Sequence, residues 1–493
     1  MITSARMAMV DRNAAALGVP RKQLMESSGN AVARAVRERV DPGASVTIVC
    51  GRGNNGGDGL AAARFLEEYD LRVALLGRPE TISTEIAREN WDALAAAEIP
   101  AEPCTDSREF SLAGAAAGDG TDSRDGDAPD LVVDAMLGTG VSGAPREPEA
   151  TAIRAIDDAD ATVVSVDVPS GVDADTGEAA GVAVDPDAVV TFHDEKPGLA
   201  DLAADLVVAD IGIPAGAELF VGPGDLASVD RDPQSHKGDH GEVLVVGGGP
   251  YAGAPALSAR AALRAGADLV RVACPESVAR EVQGFDENLI VRPFRGEHLG
   301  PEHVDRISGL AADHDAVVLG PGLGDADETL DATAEFLADF DGTAVVDADA
   351  LQIVPEIDTD ASLVCTPHQG ELRAMGGETA DDWRERADLV TEFAADLGHV
   401  LLVKGAYDVI SDGRTTRVGR TGNPGMTVGG TGDVLAGVTG ALVPAQEPVH
   451  AAAAAAYANG RAGDAAVEEH GYGLVATDLV DRIPDALRDE GDE

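Results

Sequence analysis

An apolar run, Ser45–Cys50 (SVTIVC), passes without a break into GRGNNGGDG and then into LAAARFL. The run reads as a short buried strand. The Ala/Leu segment after it has helical spacing. A strand that feeds a helix through a glycine loop leaves few folds open, because parallel strands are joined by such crossovers. The loop also points at a ligand. Glycines let backbone N–H groups approach a bound group closely. The N–H groups at a helix start favour anions. The stretch is neither GxGxxG nor a Walker A loop, since no GK[ST] follows. Asn54, Asn55 and Asp58, around Gly56 and Gly57, add polar groups that a tight turn would not need.

The same alternation continues. A helical segment is expected over Ala14–Arg39, as one or two helices, and a strand over Leu71–Gly77. LVVDAMLGTGVSGAP gives a strand ending in Asp134 and a second glycine loop, Gly138–Ala144. TVVSVDVPSGVDADTG gives a strand ending in Asp167, with Ser170 just beyond. Three strands thus carry polar residues at their C-terminal ends, the edge at which open α/β sheets bind ligands. Ala113–Asp130, rich in Gly, Asp and Ser, reads as an exposed insertion without function. Val221–Gly241 is rich in Gly, Pro and Asp and places a boundary near 215–230, with one domain over 1–218 and another over 226–490.

The second half repeats the logic. Strands are expected at Val243–Val246, within Asp315–Gly324, and over Thr343–Leu351, the last ending in Asp347 and Asp349. TPHQGE puts His368 in a loop and Glu371 at a helix start. VKGAYDVI places Lys404 and Gly405 in a turn. Lys404 suits a phosphate, against the plain alternative of a surface lysine. A lone histidine such as His368 is usually structural, and the glycine beside it tilts the reading toward a substrate contact. Next comes GNPGMTVGGTGDVLAGVTG, Gly422–Gly440, with a long Ala-rich helix at His450–Ala466 after it. An acid inside such a glycine nest would repel phosphate. Asp433 therefore reads as a base that takes a proton from the group attacking the phosphate. The N–H groups of Thr431 and Gly432 would hold the developing charge.

Composition limits the partners. The 493 residues carry 36 basic against 88 acidic side chains, a net charge of −52. Such a surface repels nucleic acid and anionic membranes. The acid is spread along the chain, which argues for adaptation to a high-salt cytoplasm. The apolar runs exclude a disordered acidic chain. Cys50, Cys104, Cys274 and Cys365 lie far apart, so neither a zinc site nor a disulfide framework is expected. No run reaches membrane-spanning length and no signal-peptide pattern opens the chain. A soluble cytoplasmic protein, assembled as a homo-oligomer, is expected.

LMESSG, GNNGGDG, DAMLGTG, VDVPSGVDADTG, TFHDEKPGL and VADIGIP, in that order over Met1–Ile213, resemble the NAD(P)H-hydrate epimerase family. The resemblance implies a Rossmann-like three-layer domain. It implies that Asn54–Asp58 and Gly138, Thr139, Gly140, Val141, Ser142, Gly143 and Ala144 hold a hydrated dinucleotide. Asn55, Asp134 and Ser170 would ligate potassium, and oxygen ligands suit such a hard cation. Asp167 would touch the substrate and is read as the acid/base of epimerisation at C6. Lys196 sits in a shared motif, and its plain alternative is a structural ion pair. HKGDHGEVLVVGG, YAGAP, LGPGLG, VVDADAL, TPHQGE, VKG and NPGMTVGGTGDVLAG, over His236–Leu487, resemble the ribokinase-like superfamily and most closely its ADP-dependent NAD(P)H-hydrate dehydratases. There Ala254, Gly322, His368 and Asp433 would face the hydrated nicotinamide nucleotide. Lys404, Gly405, Ala406, Tyr407, Asp408 and Gly432 would face ADP, with Mg²⁺ accompanying the nucleotide. MTVGGTGD departs from the family's MATGGTGD at Thr427 and Val428 and leaves Gly429–Asp433 intact. Together the halves imply a bifunctional repair enzyme for NADH and NADPH hydrates. The competing reading is a vitamin-precursor kinase fused to a non-catalytic nucleotide-binding module.

Overall fold

The structure is a computed structural model that describes residues 1–112, 128–140, 143–229 and 234–488. It divides into two compact units, Met1–Ala215 and Gly216–Glu493. The first runs α1 (Ser4–Ala16), α2 (Arg21–Arg37), β1 (Ser45–Cys50), α3 (Asn54–Ala63), β2 (Asp70–Leu76), α4 (Glu85–Ala96), β3 (Ala101–Cys104), β4 (Leu131–Ala135), α5 (Glu149–Asp157), β5 (Thr162–Val166), β6 (Ala188–Phe192) and β7 (Asp205–Ala209). Its seven strands form one sheet in the order β3-β2-β1-β4-β5-β6-β7. All neighbours are parallel. The order reverses between β1 and β4. In such sheets the loops on either side of the reversal diverge and open a crevice at the C-terminal edge.

The loop after β1 shows why glycine is needed there. A Cβ on Gly51 would sit 1.9 Å from the Met136 carbonyl oxygen, so the loops after β1 and β4 meet at contact distance. Much of the glycine in GNNGGDG serves packing. A Cβ on Gly56 would strike the Gly51 oxygen, one on Gly57 the Met25 side chain, and one on Gly59 that of Ala135. These residues lay α3 flat against α2 and the sheet. Gly57 donates its own N–H to the Gly53 carbonyl at 3.1 Å.

Two expectations shift. The first helix starts at Ser4, ten residues before the expected Ala14, with Thr3 capping it through Arg6 N–H at 3.2 Å. Its buried stripe is Met7, Val10, Asn13 and Ala14, interrupted by Arg6, Asp11 and Arg12, which hid the helical period. The expected insertion Ala113–Asp130 lies outside the described residues as far as 127. Asp130 itself is structural: its carboxylate accepts Ser45 N–H and Oγ at 2.8 Å and fixes the start of β1.

The second unit runs α6 (Gly216–Leu219), β8 (Glu242–Val246), α7 (Gly253–Ala265), β9 (Leu269–Pro275), α8 (Ala279–Phe285), β10 (Ile290–Phe294), α9 (Val304–Ala311), β11 (Ala316–Leu319), α10 (Asp327–Asp339), β12 (Thr343–Val346), β13 (Ser362–Cys365), α11 (Gln369–Ala374), α12 (Trp383–Leu397), β14 (Val400–Val403), β15 (Asp408–Ser411), β16 (Thr416–Gly419), α13 (Thr431–Leu442), α14 (Pro448–His470) and α15 (Ala476–Ala486). Nine strands form the order β10-β9-β8-β11-β12-β13-β14-β15-β16. Only the last two additions, β15 and β16, pair antiparallel. Alternate residues of one strand enter two separate cores. Val243 and Val245 pack with α7, α13, α14 and α15, whereas Leu244 and Val246 pack with α9, α10 and α12. That alternation makes three layers. The order reverses again, between β8 and β11. The expected strand over Thr343–Leu351 stops at Val346. Asp347 follows it directly, but Asp349 lies in a 3₁₀ segment, Ala348–Glu356, and not at a strand end.

One buried ion pair ties the start of this unit to its last strand. Arg417 on β16 grips Asp225 at 2.7 and 2.9 Å, with 1% and 4% of the side chains exposed. Removing one member of a buried pair costs about 3–5 kcal/mol, because the remaining charge stays in low dielectric. Arg417→Met should lower stability by that amount in urea unfolding. A loss under about 1 kcal/mol, the scale of an exposed pair, would contradict the assignment.

Candidate active sites

In the first unit the crevice between β1 and β4 gathers oxygen atoms. Asp134, at the end of β4, is fully buried. Its Oδ2 accepts Ser165 Oγ–H at 2.8 Å and Ser170 N–H at 2.9 Å. Its Oδ1 accepts Ser170 Oγ–H at 2.5 Å. Ser170 Oγ in turn accepts Leu137 N–H at 2.9 Å. Asn55, at the start of α3, donates Nδ2–H to the Leu137 carbonyl at 3.0 Å, while its buried Oδ1 has no partner among the described residues. A buried acceptor without a donor is costly. Here it sits in a chain that also holds a buried carboxylate whose partners among the described residues are hydroxyls and N–H groups. A cation bound by oxygen would satisfy both, so these residues fit potassium. Beside them a cavity of about 270 Å³ is lined by Leu137, Gly138, Gly143, Gly171, Val172 and Asp173. Of the expected loop, Val141 and Ser142 lie outside the described residues. Thr139 is half-buried, and Gly140, Gly143 and Ala144 are exposed around this mouth.

Asp167 follows β5 with φ of +64°, a left-handed conformation that costs energy for any residue but glycine and that clusters at functional sites. Its Oδ1 accepts Lys196 Nζ–H at 2.8 Å, Thr191 Oγ–H at 3.1 Å and Phe192 N–H at 3.4 Å. Lys196 is fully buried and also donates to the carbonyls of Phe192 and Asp194, at 2.8 and 3.3 Å. All three ammonium protons are thereby used. Lys196 is thus the buried ion-pair partner of Asp167 and fixes where that carboxylate stands. Asp58 is buried beside them, and burial pushes its carboxyl well up, with Asp167 and Asp11 adding to the rise and a hydrogen bond with Ser28 opposing it.

The second crevice brings the C-terminal residues together. A Cβ on Gly322, at φ +71°, would lie 3.2 Å from Ala254 Cβ, so these two line the gap between β8 and β11. A cleft of about 460 Å³ continues from it, past Gly249, Pro250, His298, Leu323 and Gly324. α7 leads from Ala254 to Ser258, whose hydroxyl donates to the Asp433 carbonyl at 2.8 Å. A Cβ on Gly437 would stand 2.1 Å from the Ser258 oxygen, so that glycine lets α13 cross α7 closely. Asp433 lies within the first turn of α13, after Gly430 at φ +98°. The first N–H groups of a helix have no partner inside it and point at whatever sits at its end.

Lys404 Nζ stands 3.2 Å from where a Cβ on Gly432 would be. An ammonium beside the positive end of a helix is unfavourable unless an anion comes between them. Lys404 is held there by Asp347 at 3.0 Å and Glu371 at 3.8 Å. Burial works against its charge, but Asp347, Glu371 and Asp433 outweigh that and raise its pKa. Asp347 is itself fixed by Thr366 Oγ–H at 2.7 Å. Asp433 is the counterpart: burial, then the Asp347 charge, push its carboxyl up to about 7, with Lys404 opposing. His368 caps α11. Its Nδ1 accepts Gly370 and Glu371 N–H at 2.9 and 3.0 Å, which leaves Nε2 to carry the proton on a 60% exposed ring. Lys404 N–H donates to Pro367 O at 2.8 Å, which pairs the backbone at His368 with that at Lys404. After Lys404, Gly405 and Ala406 are exposed. Tyr407 stacks on Trp383 at 5.4 Å, and Asp408 closes the turn by accepting Gly405 N–H at 2.8 Å.

Residues 243–485 match the NAD(P)H-hydrate dehydratase family, and residues 21–198 match the YjeF-related protein N-terminus family. The bifunctional NAD(P)H-hydrate repair enzyme of Pyrobaculum aerophilum is 44% identical over 99% of this chain and 98% of that one. The chain belongs to the bifunctional NAD(P)H-hydrate repair enzyme family. A second member, from Methanothermobacter thermautotrophicus, is 43% identical over 98% of this chain and 94% of its own. The ADP/ATP-dependent NAD(P)H-hydrate dehydratase of Bacillus subtilis, solved after co-crystallisation with ATP and Mg²⁺, is 27% identical, covers 54% of this chain and 97% of that one, at a TM-score of 0.48.

For a member of this family, three groups receive no role from motif reading. Asp347 stands in VVDADAL as a strand end, yet it holds Lys404 and raises Asp433. Thr191 anchors Asp167 from the neighbouring strand. Asp11 adds to the rise of Asp58 from a helix whose period its own charge interrupts. Apolar alternation marks no such residue. A charge on a weak helical face was the only signal.

Proposed function

We propose that the first unit interconverts the R and S epimers of hydrated NADH and NADPH. The second unit dehydrates the S epimer at the expense of ADP, giving NAD(P)H, AMP and phosphate. The observation that carries the reading is Asp433, poised near pH 7 in the first turn of α13 beside Lys404. Asp433 takes the proton of the C6 hydroxyl. The hydroxyl oxygen attacks the β-phosphorus of ADP and AMP leaves. Thr431 and Gly432 N–H groups and Lys404 hold the phosphoryl charge. Ala254 and Gly322 leave room for the ring and His368 Nε2–H donates to it. Phosphate then departs from C6 with the bonding electrons, C5 gives a proton to the departing phosphate, and the C5=C6 double bond of NAD(P)H is restored. The family relationship supports the same pair of activities.

Asn55, Asp134 and Ser170 would hold potassium, which would supply a countercharge beside the bound dinucleotide. Asn54–Asp58 and Gly138–Ala144 receive that dinucleotide, and Asp167 transfers the proton at C6. Gly405, Ala406, Tyr407 and Asp408 line the ADP side, and Mg²⁺ accompanies the nucleotide. The acidic surface belongs to a homo-oligomer working in a salt-rich cytoplasm.

Mixed NADHX epimers given ADP or ATP, in KCl, test the whole. All of the NADHX should return as NADH absorbance, at matching release of phosphate. Recovery of half would mean that the epimerase is inactive. A phosphorylated product that persists without NADH would favour the kinase alternative.

A further inference from the structure

The strand order divides the working edge of the second sheet. Lys404 and the turn after it follow β14, on one side of the crevice between β8 and β11. The cleft of about 460 Å³ lies toward the other side. Of its lining, Gly249 and Pro250 follow β8, Glu297 and His298 follow β10, and Gly324 and Asp325 follow β11. These loops meet at glycine. A Cβ on Gly249 would stand 2.9 Å from the Leu323 carbonyl oxygen and 3.7 Å from that of Glu297. A Cβ on Gly324, at φ +78°, would stand 3.0 Å from Pro250 Cγ. The cleft opens onto the substrate residues through Tyr251, the residue after Pro250. A Cβ on Gly322 would lie 2.8 Å from the Tyr251 oxygen and 3.2 Å from Ala254 Cβ.

The reaction at Asp433 uses only the nicotinamide end of a dinucleotide. With the ring at Ala254 and Gly322, the second nucleotide has to leave on a side that ADP does not fill. ADP takes the side of Lys404 and β14, so the cleft past β8 and β10 is the way out. Its size falls within the roughly 300–1,000 Å³ of small-ligand sites. Its charge is one-sided. Glu297 and Asp325 are exposed carboxylates, and no hydrogen bond or ion pair among the described residues engages either. No lysine or arginine lines the cleft among the described residues. Its histidine, His298, is already committed, with Nε2 3.1 Å from Glu328 Oε2. A carboxylate accepts from a free ribose 2′-hydroxyl, whereas a 2′-phosphate calls for an arginine. Acidic residues are spread over this whole chain. Here two of them stand at a cavity that continues the substrate site.

We propose that this cleft receives the adenosine half of the hydrated dinucleotide, and that Glu297 and Asp325 make the dehydratase prefer S-NADHX, with its free ribose 2′-hydroxyl, to S-NADPHX, which carries phosphate there. The proposal rests on the dehydratase reading of this unit and adds its substrate preference. The carboxylates accept from the ribose hydroxyls and repel the 2′-phosphate. They take no part in phosphoryl transfer, so their effect falls on the KM of the dinucleotide and not on kcat.

The test measures ADP-driven dehydration by the full chain, in the lowest KCl that keeps it folded. The substrates are S-NADHX, S-NADPHX and the hydrate of reduced nicotinamide mononucleotide, which lacks the adenosine half. The proteins are the unmodified chain, the double variant Glu297→Gln with Asp325→Asn, and Asp325→Lys. The unmodified chain should favour S-NADHX at least ~10-fold in kcat/KM, since like charges brought together at a binding site are costly. The double variant should bring the two dinucleotides within ~3-fold of each other, through the KM of S-NADPHX. Asp325→Lys should reverse the preference. Turnover of the mononucleotide hydrate and the KM of ADP should be the same in all three proteins. Equal use of both dinucleotides by the unmodified chain overturns the proposal, and so does a preference that neither variant moves. A change in mononucleotide turnover as large as that for the dinucleotides also overturns it, because the two side chains would then act on the reaction centre. Should the double variant melt early, Asp325→Lys alone decides by the same criteria. Dehydration of neither dinucleotide by the unmodified chain would instead sink the dehydratase reading itself.

Discussion

Asp433→Asn should lower ADP-driven dehydration of S-NADHX at least ~100-fold, the usual contribution of a positioned general base, and leave epimerisation at its original rate. Asn is nearly isosteric and removes only the proton acceptor. Ser258 binds the Asp433 backbone carbonyl, not its carboxylate, so the crossing of α7 and α13 survives the change. Lys404 keeps its place through Asp347 at 3.0 Å. Binding of ADP should therefore persist, and the loss should fall on kcat. The pH dependence adds a second reading. A base acts only when ionised, and burial with the Asp347 charge puts this carboxyl at about 7. The dehydration rate should rise through pH 7 and level off above it. In Asp433→Asn the residual rate should lack that rise. An essentially normal rate in the variant would remove Asp433 from the mechanism.

Asp167→Asn should strand the R epimer. Given mixed NADHX and ADP, the variant should recover the S share as NADH at the ordinary rate and turn over the rest at least ~100-fold more slowly. Asn is the better choice than Ala here. Thr191 Oγ–H and Phe192 N–H can still find an acceptor on Asn, whereas Ala would leave buried Lys196 with two backbone carbonyls and no side-chain acceptor. Loss of one member of a buried pair costs about 3–5 kcal/mol, so pairing Asp167→Asn with Lys196→Met separates catalysis from stability. Consumption of the R epimer at the usual rate in a folded variant would show that Asp167 moves no proton.

Reading the sequence reaches the frame of both sites, for a physical reason. Buried parallel strands are continuous apolar runs, so their ends are visible, and their C-terminal ends are where ligands bind. Asp134 is the next-to-last residue of such a strand, and Asp167 and Lys404 stand just beyond one, whereas Asp433 stands in the first turn of the helix that follows the antiparallel edge strand β16. Glycine is less transparent. Gly56, Gly57 and Gly59 read as ligand approach, but a Cβ on each would meet the protein's own atoms. The sequence does not distinguish closeness to a ligand from closeness to a neighbouring helix. Asp11 and Asp347 are harder still. Their importance comes from carboxylates distant in the chain, and strand order alone decides which loops converge. That order, with its reversals at β1/β4 and β8/β11, is written in no local pattern.

The burial of Lys196 reaches beyond its own site. Ions in solution weaken attractions between exposed charges and act far less on pairs out of their reach. This chain has a net charge of −52, yet the ammonium that grips Asp167 is one that no solvent touches. Dissolved salt therefore reaches the exposed acidic side chains, while the contact between Lys196 and Asp167 lies largely out of its range.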